Sequence, residues 1–437
     1  MQAEEISTYE EAVEYLYQIP KFTVKNALED TKAFYQHLIE PDSKANIIHI
    51  AGTNGKGSVC AYLHSVLRKS EYRVGMFTSP HLIDIRERFL VNDKMVSKEI
   101  FLDAFCTVAG KIKEFHHPTF FEYLFLMAML IFKKEKVDFI ILETGLGGRL
   151  DSTNVVTKPL VCAITSVSLD HMQYLGDTVE QIAGEKAGII KTGVPIVYSQ
   201  REKAVSDVII RTAKEKKAKS IGVSKSDYTL INFHHKSIDF SCQSRYYGYI
   251  RFTLHTSALY QMENAALAVR VIDYIKELSQ GDKITRETLM LGMESAFWQG
   301  RMEEIEPGVY VDGAHNADGL KAFLESADAV ECEGRKLLVF GAVADKEYEK
   351  MLSMIEKSHI FEGIFLTQIE NARSVHTEQL SQIGRKCFKK EVPVFLKSVE
   401  ALHEAKREKG QKDIVFVAGS LYLVGEVKAL SGGNQND

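Results

Sequence analysis

The sequence has 437 residues, 45% of them hydrophobic, which is enough for two domains with a core each. Its 54 lysines and arginines nearly balance 59 aspartates and glutamates, and the formal net charge is −5. Because charges of both signs are interspersed, no segment predicts a nucleic acid or a membrane surface as a partner. Six cysteines are scattered without a CxxC pair, which favours a reducing compartment over disulfides or a zinc site.

Neither a signal peptide nor a membrane span is predicted. The N-terminal segment MQAEEISTYEEAVEYL is acidic and amphipathic, and it lacks the apolar region of a signal peptide. The longest apolar run, residues 124–132, is far shorter than the ~20 residues that cross a bilayer. We therefore expect a soluble, cytoplasmic protein.

The first strong pattern along the chain is NIIHIAGTNGKGS, residues 46–58. Apolar β-branched residues predict a buried parallel strand, and the glycines after them predict a tight turn that opens a helix. Backbone N–H groups and the helix dipole at such a turn attract phosphate, and Lys56 adds a mobile positive charge. Since the spacing differs from the strict P-loop pattern, a structural glycine-rich turn is the alternative.

The second predicted strand, residues 73–78, runs into a loop that begins SPHL at Ser79. Open α/β sheets bind ligands beyond the carboxyl ends of their strands, which makes this loop a candidate site. Farther along the loop, Arg86 and Arg88 flank Glu87. The sequence leaves open whether these arginines form a solvated charge cluster or contact a substrate.

Glu143 follows the third predicted strand, residues 137–142, which comes after helices predicted at 100–115 and 120–133. A carboxylate at the end of a buried strand, in a sheet that already holds a phosphate turn, is the expected magnesium ligand. The run GLGGRLDSTN after it predicts another tight loop beside this position.

Strands that alternate with helices predict an α/β fold with a doubly wound, mainly parallel sheet in the N-terminal part. The alternation continues with strands at 160–167 and 195–198 around a helix at 178–191. Residues 220–257 alternate apolar and polar side chains and predict a small antiparallel β addition. An alanine-rich helix is then predicted to open at Asn264.

A glycine- and proline-bearing connection at residues 298–308 predicts a domain boundary. We assign residues 1–297 to the first domain and 298–437 to a smaller C-terminal α/β, Rossmann-like domain. Its polar end, residues 431–437, is expected to be disordered. The predicted strands of this domain are 309–312, 336–340, 363–366, 392–396 and 413–418.

Several short motifs follow one another in order, each at a strand end or a helix start. They are AGTNGKGS, TSPHL followed by RERF, TFFE, ETGLGGRLDSTN, DH, EKAGIIK, GR and DGAHN. This set resembles the folylpolyglutamate synthase and dihydrofolate synthase family, a branch of the Mur ligase superfamily. The resemblance extends from about residue 46 to the C-terminus and includes ADK at 344–346 and AGSLYLVGE at 418–426. One such motif would be weak evidence, whereas the ordered set is specific.

The resemblance implies a monomeric, ATP-dependent amide ligase. It would join L-glutamate to the γ-carboxyl of a reduced folate, or to dihydropteroate, and both activities stay open. A carboxylate does not react with an amine at neutral pH, but an acyl phosphate made with ATP does. The amine must then be deprotonated and held close to the acyl carbon. Closure of a cleft between the domains would keep water away from the acyl phosphate.

The resemblance also implies an ATP site that both domains share. Lys56 and its neighbours would hold the phosphates, Asn264 would contact the base, and the second domain would complete the site. Strict P-loop reasoning keeps Ser58 as a secondary candidate for the hydroxyl ligand. The implied ATP-binding residues are Asn54, Gly55, Lys56, Gly57, Ser58, Asn264, Arg301 and Asp312.

For Mg²⁺, the resemblance implies one ion near Ser79 and Glu143 and a second ion near His171. Lys186 corresponds to a lysine that is carbamoylated in this superfamily, and a carbamate oxygen can bind a metal that an ammonium would repel. An ordinary lysine on a helix surface is the alternative. His171 taken alone would be a hydrogen-bonded loop histidine.

The substrate residues implied for the pterin and benzoyl groups are Thr119, Phe120, Phe121, Glu122, Gly148, Arg149 and Leu150. Phe120 and Phe121 would stack on flat rings, or else belong to the core of the helix that follows. His315 would contact phosphate or the incoming glutamate, and with Lys56 and Lys186 it completes the implied catalytic set.

The sequence departs from the family pattern in two places. Residues 20–35 match a folate-binding loop poorly, so no pterin contact is assigned there. Gln299 stands where a proline is common, which alters linker stiffness but keeps Arg301. Two other classes remain as alternatives: a Mur-type ligase that acts on a cell-wall nucleotide precursor, and a nucleotide-binding regulatory protein without catalysis.

Overall fold

The computed structural model describes residues 3–19, 26–39, 45–234, 236–389 and 391–431. The helices are α1 (Tyr9–Gln18), α2 (Leu28–Ile39), α3 (Lys56–Lys69), α4 (Lys98–Ala109), α5 (Phe120–Lys134), α6 (Met172–Leu175), α7 (Val179–Ala187), α8 (Lys203–Glu215), α9 (Gln261–Glu277), α10 (Arg286–Ser295), α11 (Ala317–Ala329), α12 (Tyr348–Ser358), α13 (Thr377–Phe388), α14 (Ser398–Glu408) and α15 (Leu421–Ser431). The strands are β1 (Asn46–Ala51), β2 (Val74–Phe77), β3 (Phe89–Val91), β4 (Lys94–Met95), β5 (Phe139–Glu143), β6 (Val161–Ile164), β7 (Ile196–Ser199), β8 (Ser220–Val223), β9 (Tyr228–His234), β10 (Ser237–Ser244), β11 (Gly248–Leu254), β12 (Glu303–Glu306), β13 (Val309–Val311), β14 (Lys336–Phe340), β15 (Gly363–Thr367), β16 (Val394–Phe395) and β17 (Ile414–Ala418).

The first sheet has eight strands in the order β4-β3-β2-β5-β1-β6-β7-β8. Strand β1 lies in its interior and pairs in parallel with β5 and β6, so that Ile48 is opposite both Ile141 and Val161. Only two pairings, β2 with β3 and β3 with β4 at one edge, are antiparallel. The loops after β1, β2, β5 and β6 therefore meet at one edge of the sheet, and the predicted doubly wound α/β fold is confirmed.

Helices cover both faces of this sheet. On one face, α3 and α9 pack on apolar residues of β1, β5 and β6. On the other face lies α5, which is buried along most of its length because α1, α2 and α4 cover its outer side. This arrangement explains why α5 is apolar around its whole circumference. Among the residues described, no helix is both long and apolar enough to cross a bilayer.

The predicted antiparallel addition is present as a three-stranded sheet, β11-β10-β9, which packs on the α9 layer. A separate six-stranded sheet follows, in the order β12-β13-β17-β14-β15-β16, and it is parallel except for β12. The first two sheets lie before residue 298 and the last one after it. The exact position of the domain boundary stays a prediction.

Several element limits differ from the sequence prediction. The helix predicted at 178–191 ends at Ala187, where Gly188 caps it. The helix predicted at 100–115 ends at Ala109, and a short 3₁₀ turn follows. Helix α9 starts at Gln261, so Asn264 lies within its first turn. Strand β12 was missed because its three glutamates leave no apolar periodicity. Helix α15 includes Ser431, and residues 432–437 of the predicted tail lie outside the described residues.

Candidate active site

The turn after β1 is held in a shape that requires glycine. Gly52 has φ +152° and Gly55 has φ +87°, and both conformations are rare for residues with a side chain. A Cβ atom on Gly52 would lie 1.7 Å from Thr165 Oγ1, and one on Gly55 would lie 2.4 Å from Asn264 Oδ1. The backbone of the turn therefore approaches β6 and α9 as closely as it can, and helix α3 begins directly after Gly55.

Two lysines meet at one carbonyl oxygen of this turn. Lys56 Nζ donates to the oxygens of Gly52 at 3.2 Å and Thr53 at 3.3 Å. Lys186 Nζ, which reaches the turn from α7, donates to the Gly52 oxygen at 2.9 Å. Burial, with the charge of Lys56 second, lowers the pKa of Lys186 from its usual 10.5 to about 7. Lys186 is 3% exposed, so it is a buried amine rather than a surface lysine.

Glu143 ends β5 next to the same turn. Its Oε2 accepts a hydrogen bond from the Ser79 N–H at 3.0 Å, and its Oε1 is 3.8 Å from Lys56 Nζ. Burial raises the pKa of Glu143, although the charges of Lys56, Arg301 and Arg88 oppose the change. Among the described residues, no three His, Cys, Asp or Glu side chains form a metal-binding group of their own. Mg²⁺ commonly takes one or two carboxylates plus water and phosphate oxygens, and Ser79 with Glu143 fits that pattern.

A cavity of about 250 Å³ opens beside Ser79 and Glu143. Both sides of the proposed boundary line it, because Trp298 and Arg301 from the linker and Leu421 from α15 complete its wall. A second cavity, of about 160 Å³, lies on the other side of Trp298. Arg301 lines both cavities, which places it between the two halves of the candidate site.

Asn264, the residue predicted to contact the nucleotide base, is hydrogen-bonded to a residue that lines the second cavity. Asn264 Nδ2 donates to Gln261 Oε1 at 3.0 Å, and Gln261 Nε2 donates to Ser58 Oγ at 3.1 Å. Across from them, Asp312 Oδ2 accepts hydrogen bonds from Tyr260 Oη at 2.5 Å and from the Met302 N–H at 3.0 Å. Burial raises the pKa of Asp312.

A second group of charged residues links the two sheets, and we call Asp170, His171, His315, Asn316 and Lys346 the interdomain cluster. Asp170 Oδ1 accepts a hydrogen bond from Lys346 Nζ, and its Oδ2 accepts one from Asn316 Nδ2 at 2.9 Å. His315 Nε2 is 3.6 Å from Asp170 Oδ2. Burial opposes ionisation of Asp170, but His315 and Lys346 outweigh it and hold its pKa far below the usual range.

His171 lies at the start of α6 with φ +49°, and its Nε2 is 3.4 Å from Lys346 Nζ. Burial lowers the pKa of His171 to about 4, although Asp170 opposes this change. His171 is therefore a neutral imidazole at neutral pH, the form that binds metals. It contacts Lys346 and Asp170, whereas Ser79 and Glu143 contact each other beside the turn and Lys186 bonds to the turn itself.

The interdomain cluster continues into the phosphate turn through Asn54. Asn54 and Asn316 exchange side-chain hydrogen bonds at 3.1 and 3.0 Å, and Asn54 Nδ2 also donates to Asp318 Oδ2 at 2.8 Å. Asn316 in turn caps α11 by accepting from the Gly319 N–H at 2.8 Å. The turn of the first sheet is thus tied to the start of a helix on the second.

The predicted substrate residues at the start of α5 have mixed environments. Glu122 Oε2 accepts from the Thr119 N–H at 2.7 Å and from Asn26 Nδ2 at 2.7 Å, and Glu122 Oε1 accepts from Thr31 Oγ1 at 3.2 Å. This carboxylate therefore caps α5 and anchors the N-terminal segment. Asn26 and Thr31 belong to the segment for which no pterin contact was predicted, and residues 20–25 of that segment lie outside the described residues.

The two phenylalanines at the start of α5 contact different aromatic residues. The ring of Phe120 stacks with Tyr17 at 6.0 Å between centroids. The ring of Phe121 lies 5.6 Å from that of Phe77 and closes over Gly145. Phe120 is 5% exposed and belongs to the core cluster around α5, whereas Phe121 is only partly buried against that cluster.

The glycine loop after β5 is held by hydrogen bonds within the loop and by contacts with α7. Asp151 Oδ2 accepts the N–H groups of Gly145 and Leu146, both at 2.9 Å. Arg149 donates to Glu185 Oε1 at 3.0 and 2.8 Å, one residue before Lys186. A Cβ atom on Gly148 would lie 2.8 Å from the Glu185 oxygen, so the loop packs tightly on α7. Leu150 is half exposed at the loop tip.

Sequence reasoning missed four residues that the structure brings into the site. Asp170 and Lys346 lie in the DH and ADK motifs, where their charges were the available signal. Tyr260 precedes α9, and Trp298 lies in the linker with its indole against Gly57. Each of them makes contacts between distant segments, which a local pattern does not reveal.

The chain matches two family models along its length. The Mur ligase middle domain covers residues 50–272, and the Mur ligase glutamate ligase domain covers residues 300–421. With the glycine turn, the buried lysine and the two α/β sheets, this defines the chain as a Mur ligase. It is 35% identical to the dihydrofolate synthase/folylpolyglutamate synthase of Bacillus subtilis (strain 168), over 97% of this chain and 99% of that protein. The chain belongs to the dihydrofolate synthase/folylpolyglutamate synthase family.

Other relatives agree with this assignment. A probable bifunctional folylpolyglutamate synthase/dihydropteroate synthase of Haloferax volcanii is 30% identical over 96% of this chain, which spans 50% of that longer protein. The structure of E. coli FolC in complex with DHPP and ADP superimposes with a TM-score of 0.85 at 28% identity, covering 100% of both chains. The folylpolyglutamate synthase of Thermotoga maritima gives a TM-score of 0.79 at 31% identity, covering 98% of both chains. The predicted family and fold are confirmed.

Proposed function

We propose that this chain is an ATP-dependent ligase that adds L-glutamate to the γ-carboxyl group of tetrahydrofolate through an acyl phosphate. The observation that carries the proposal is the convergence of Lys56, Lys186 and Glu143 on the turn after β1. A phosphate turn beside a buried carboxylate suits transfer of a phosphoryl group. The relatives' printed names supply the substrate class.

In the first step, the turn and Lys56 hold the ATP phosphates. The Lys56 ammonium now donates to two backbone carbonyls, which are weaker partners than a phosphate. With ATP bound, the ammonium would move to the γ-phosphate and neutralise its charge while the substrate carboxylate attacks the γ-phosphorus and ADP leaves. Asn54, Gly55 and Gly57 line the phosphates, while Asn264, Arg301 and Asp312 hold the rest of the nucleotide, with Ser58 beside them.

Mg²⁺ would be held by Ser79 and Glu143, with a second ion beside His171. The buried Glu143 carboxylate fits this role, because its nearest cation, Lys56, is 3.8 Å away. When bound, Mg²⁺ supplies positive charge to the phosphoryl oxygens. Lys186 is proposed to carry a carbamate, since an amine with a pKa of about 7 is largely neutral at pH 8 and can add to CO₂.

In the second step, the amine of L-glutamate attacks the acyl carbon from the side of the second sheet, so that the C–N bond forms, inorganic phosphate leaves and the amine gives up a proton. His315 is the proposed contact there, because its Nε2 faces Asp170 in the cleft between the sheets. Phe120, Phe121 and the loop at Gly148, Arg149 and Leu150 are proposed to hold the ring systems, with Thr119 and Glu122 shaping the helix start. We further propose a monomer with its domain boundary at residues 297 and 298 and a cytoplasmic location.

A second activity, addition of L-glutamate to dihydropteroate, is favoured by the similarity to the Bacillus subtilis protein over nearly its whole length. Both activities are tested by phosphate release from purified protein with MgATP and L-glutamate, using tetrahydrofolate and dihydropteroate separately. Mass spectrometry of the products identifies the new amide. Turnover with both substrates shows a bifunctional enzyme, and turnover with neither overturns the proposed substrate class.

A further inference from the structure

The two arginines that flank Glu87 have different environments. Arg86 forms a two-point ion pair with Asp84, with contacts of 3.1 and 2.6 Å. Arg88 is only 7% exposed, and its Nε donates to His81 Nδ1 at 2.8 Å. Within the described ranges, no carboxylate lies at ion-pair distance from the Arg88 guanidinium. Of the two arginines, Arg88 is therefore the buried one, and the carboxylates of Glu143 and Glu87 act on it only from beyond ion-pair distance.

The nearest carboxylate in sequence is already committed elsewhere. Glu87 Oε2 accepts from the Leu82 N–H at 2.7 Å and from Gln299 Nε2 at 2.8 Å, while its Oε1 accepts from the N–H groups of Ile83 and Asp84. Glu87 thus organises the loop and leaves the terminal nitrogens of Arg88 without a carboxylate. A buried charge without an ion-pair partner is costly, so a site that keeps one is suited to an anion from outside.

Arg88 lies beside the residues that would hold the acceptor substrate. Its Cζ is 5.7 Å from the centroid of the Phe120 ring, which stacks on Tyr17. Its backbone oxygen accepts from the Thr78 N–H at 3.2 Å, next to Ser79 in the sequence. The guanidinium is therefore placed between an aromatic pair and the loop that contacts Glu143, on the acceptor side of the site.

We propose that Arg88 binds the free α-carboxylate of the terminal glutamyl residue of the folate substrate. This inference rests on the proposed function, in which the γ-carboxyl of that residue must reach the phosphate turn while its α-carboxyl stays unreacted. A guanidinium can hold a carboxylate at two points, which fixes which carboxyl faces ATP. Dihydropteroate has a single carboxylate, the reacting one, and offers no second group to Arg88. Arg88 is thus a specificity-determining residue for tail lengthening.

The test compares three acceptors: tetrahydrofolate, tetrahydrofolate with its α-carboxylate converted to an amide, and dihydropteroate. Each is assayed with the wild type, Arg88→Gln, Arg88→Lys and the control Arg86→Gln, which alters the neighbouring arginine. We expect Arg88→Gln to raise KM for tetrahydrofolate about 10- to 100-fold, in line with the loss of a charged hydrogen-bonded pair, with a smaller change in kcat. With the wild type, KM for the α-amide should exceed KM for tetrahydrofolate by the same factor. With Arg88→Gln, the KM values for the α-amide and for tetrahydrofolate should be equal.

Other results overturn the inference. Arg88 has a structural role if Arg88→Gln raises KM equally for dihydropteroate and tetrahydrofolate. The same follows if KM of Arg88→Gln is higher for the α-amide than for tetrahydrofolate. If Arg88→Gln does not fold, the wild type alone decides, because equal KM values for tetrahydrofolate and its α-amide contradict the proposal. Failure of the proposed function is distinct, since the wild type would then turn over none of the three acceptors.

Discussion

The phosphate turn and the interdomain cluster are both built from buried charged groups, but only one has its charges matched within the protein. At the turn, Lys56 and Lys186 share the Gly52 carbonyl, and Glu143 is 3.8 Å from the nearer amine. In the cluster, Asp170 bonds directly to Lys346 and Asn316. A ligand at the turn adds missing partners, whereas a ligand at His171 or His315 must displace existing ones. The turn can therefore accept a ligand as it stands, whereas a ligand at the interdomain cluster has to break contacts between the two sheets.

The largest expected effect comes from removing the mobile charge at the turn. Lys56→Met should lower kcat on the order of 1,000-fold, because the ammonium that neutralises phosphate charge is lost. Some thermal stability should be lost as well, because Lys56 is the cation 3.8 Å from the buried Glu143 carboxylate; thermal unfolding therefore checks that the variant is folded at the assay temperature. Steady-state phosphate release measures the effect, and Lys69→Met at the end of α3 is the control. A loss of less than tenfold would contradict the proposed role of Lys56.

Breaking the interdomain cluster should instead reduce stability. Lys346→Met leaves the buried Asp170 without its cation and should cost about 3 kcal/mol, as for other broken buried pairs. Thermal unfolding of Lys346→Met, Asp170→Asn and the double variant gives the coupling between the two residues. Lys350→Met, which removes an exposed lysine paired with Glu347 on α12, should change stability by well under 1 kcal/mol. Additive effects of the first two changes would show that the cluster does not act as a unit.

The buried amine at the turn should make stability depend on pH. Between about pH 7 and its usual pKa of 10.5, Lys186 is protonated in the unfolded chain but largely neutral in the folded one. The unfolded state therefore binds more protons, and the free energy of unfolding rises with pH by on the order of 1 kcal/mol per pH unit. Unfolding in bicarbonate-free buffer at several pH values measures this slope. Lys186→Met should lower the slope, and an unchanged slope would refute the assignment to Lys186.

The smallest effect is expected at the edge of the interdomain cluster. Asp318 accepts from Asn54 and lies 3.4 Å from Arg201, with both charged side chains substantially exposed. Because exposed ion pairs contribute little, Asp318→Ala should cost less than about 1 kcal/mol. Thermal unfolding and KM for ATP measure it. A loss as large as that of Lys346→Met would mean that the link to Asn54, and not the Asp170 pair, holds the sheets together.

The sequence predicted the turn and most strands because both depend on neighbouring residues. The Gly52 and Gly55 turn, α5 and the antiparallel addition were all visible as local spacing or periodicity. The interdomain cluster was not, since Asp170 and Lys346 are 176 positions apart and meet only through the placement of two sheets. The two arginines beside Glu87 were identical in local pattern, and only their three-dimensional partners separate them. Strand β12 was not predicted, because its pairing with β13 makes it a strand and its sequence has no apolar periodicity.

The chain has one tryptophan, and its position has a practical consequence. The indole of Trp298 packs against Gly57, where a Cβ atom would lie 2.6 Å from it, and it borders both cavities. Its fluorescence therefore comes from one known place between the nucleotide turn and the linker. The emission of Trp298 should therefore change, without any added label, when a ligand enters a cavity that it borders. Following this change over time gives the order and the rates of substrate binding.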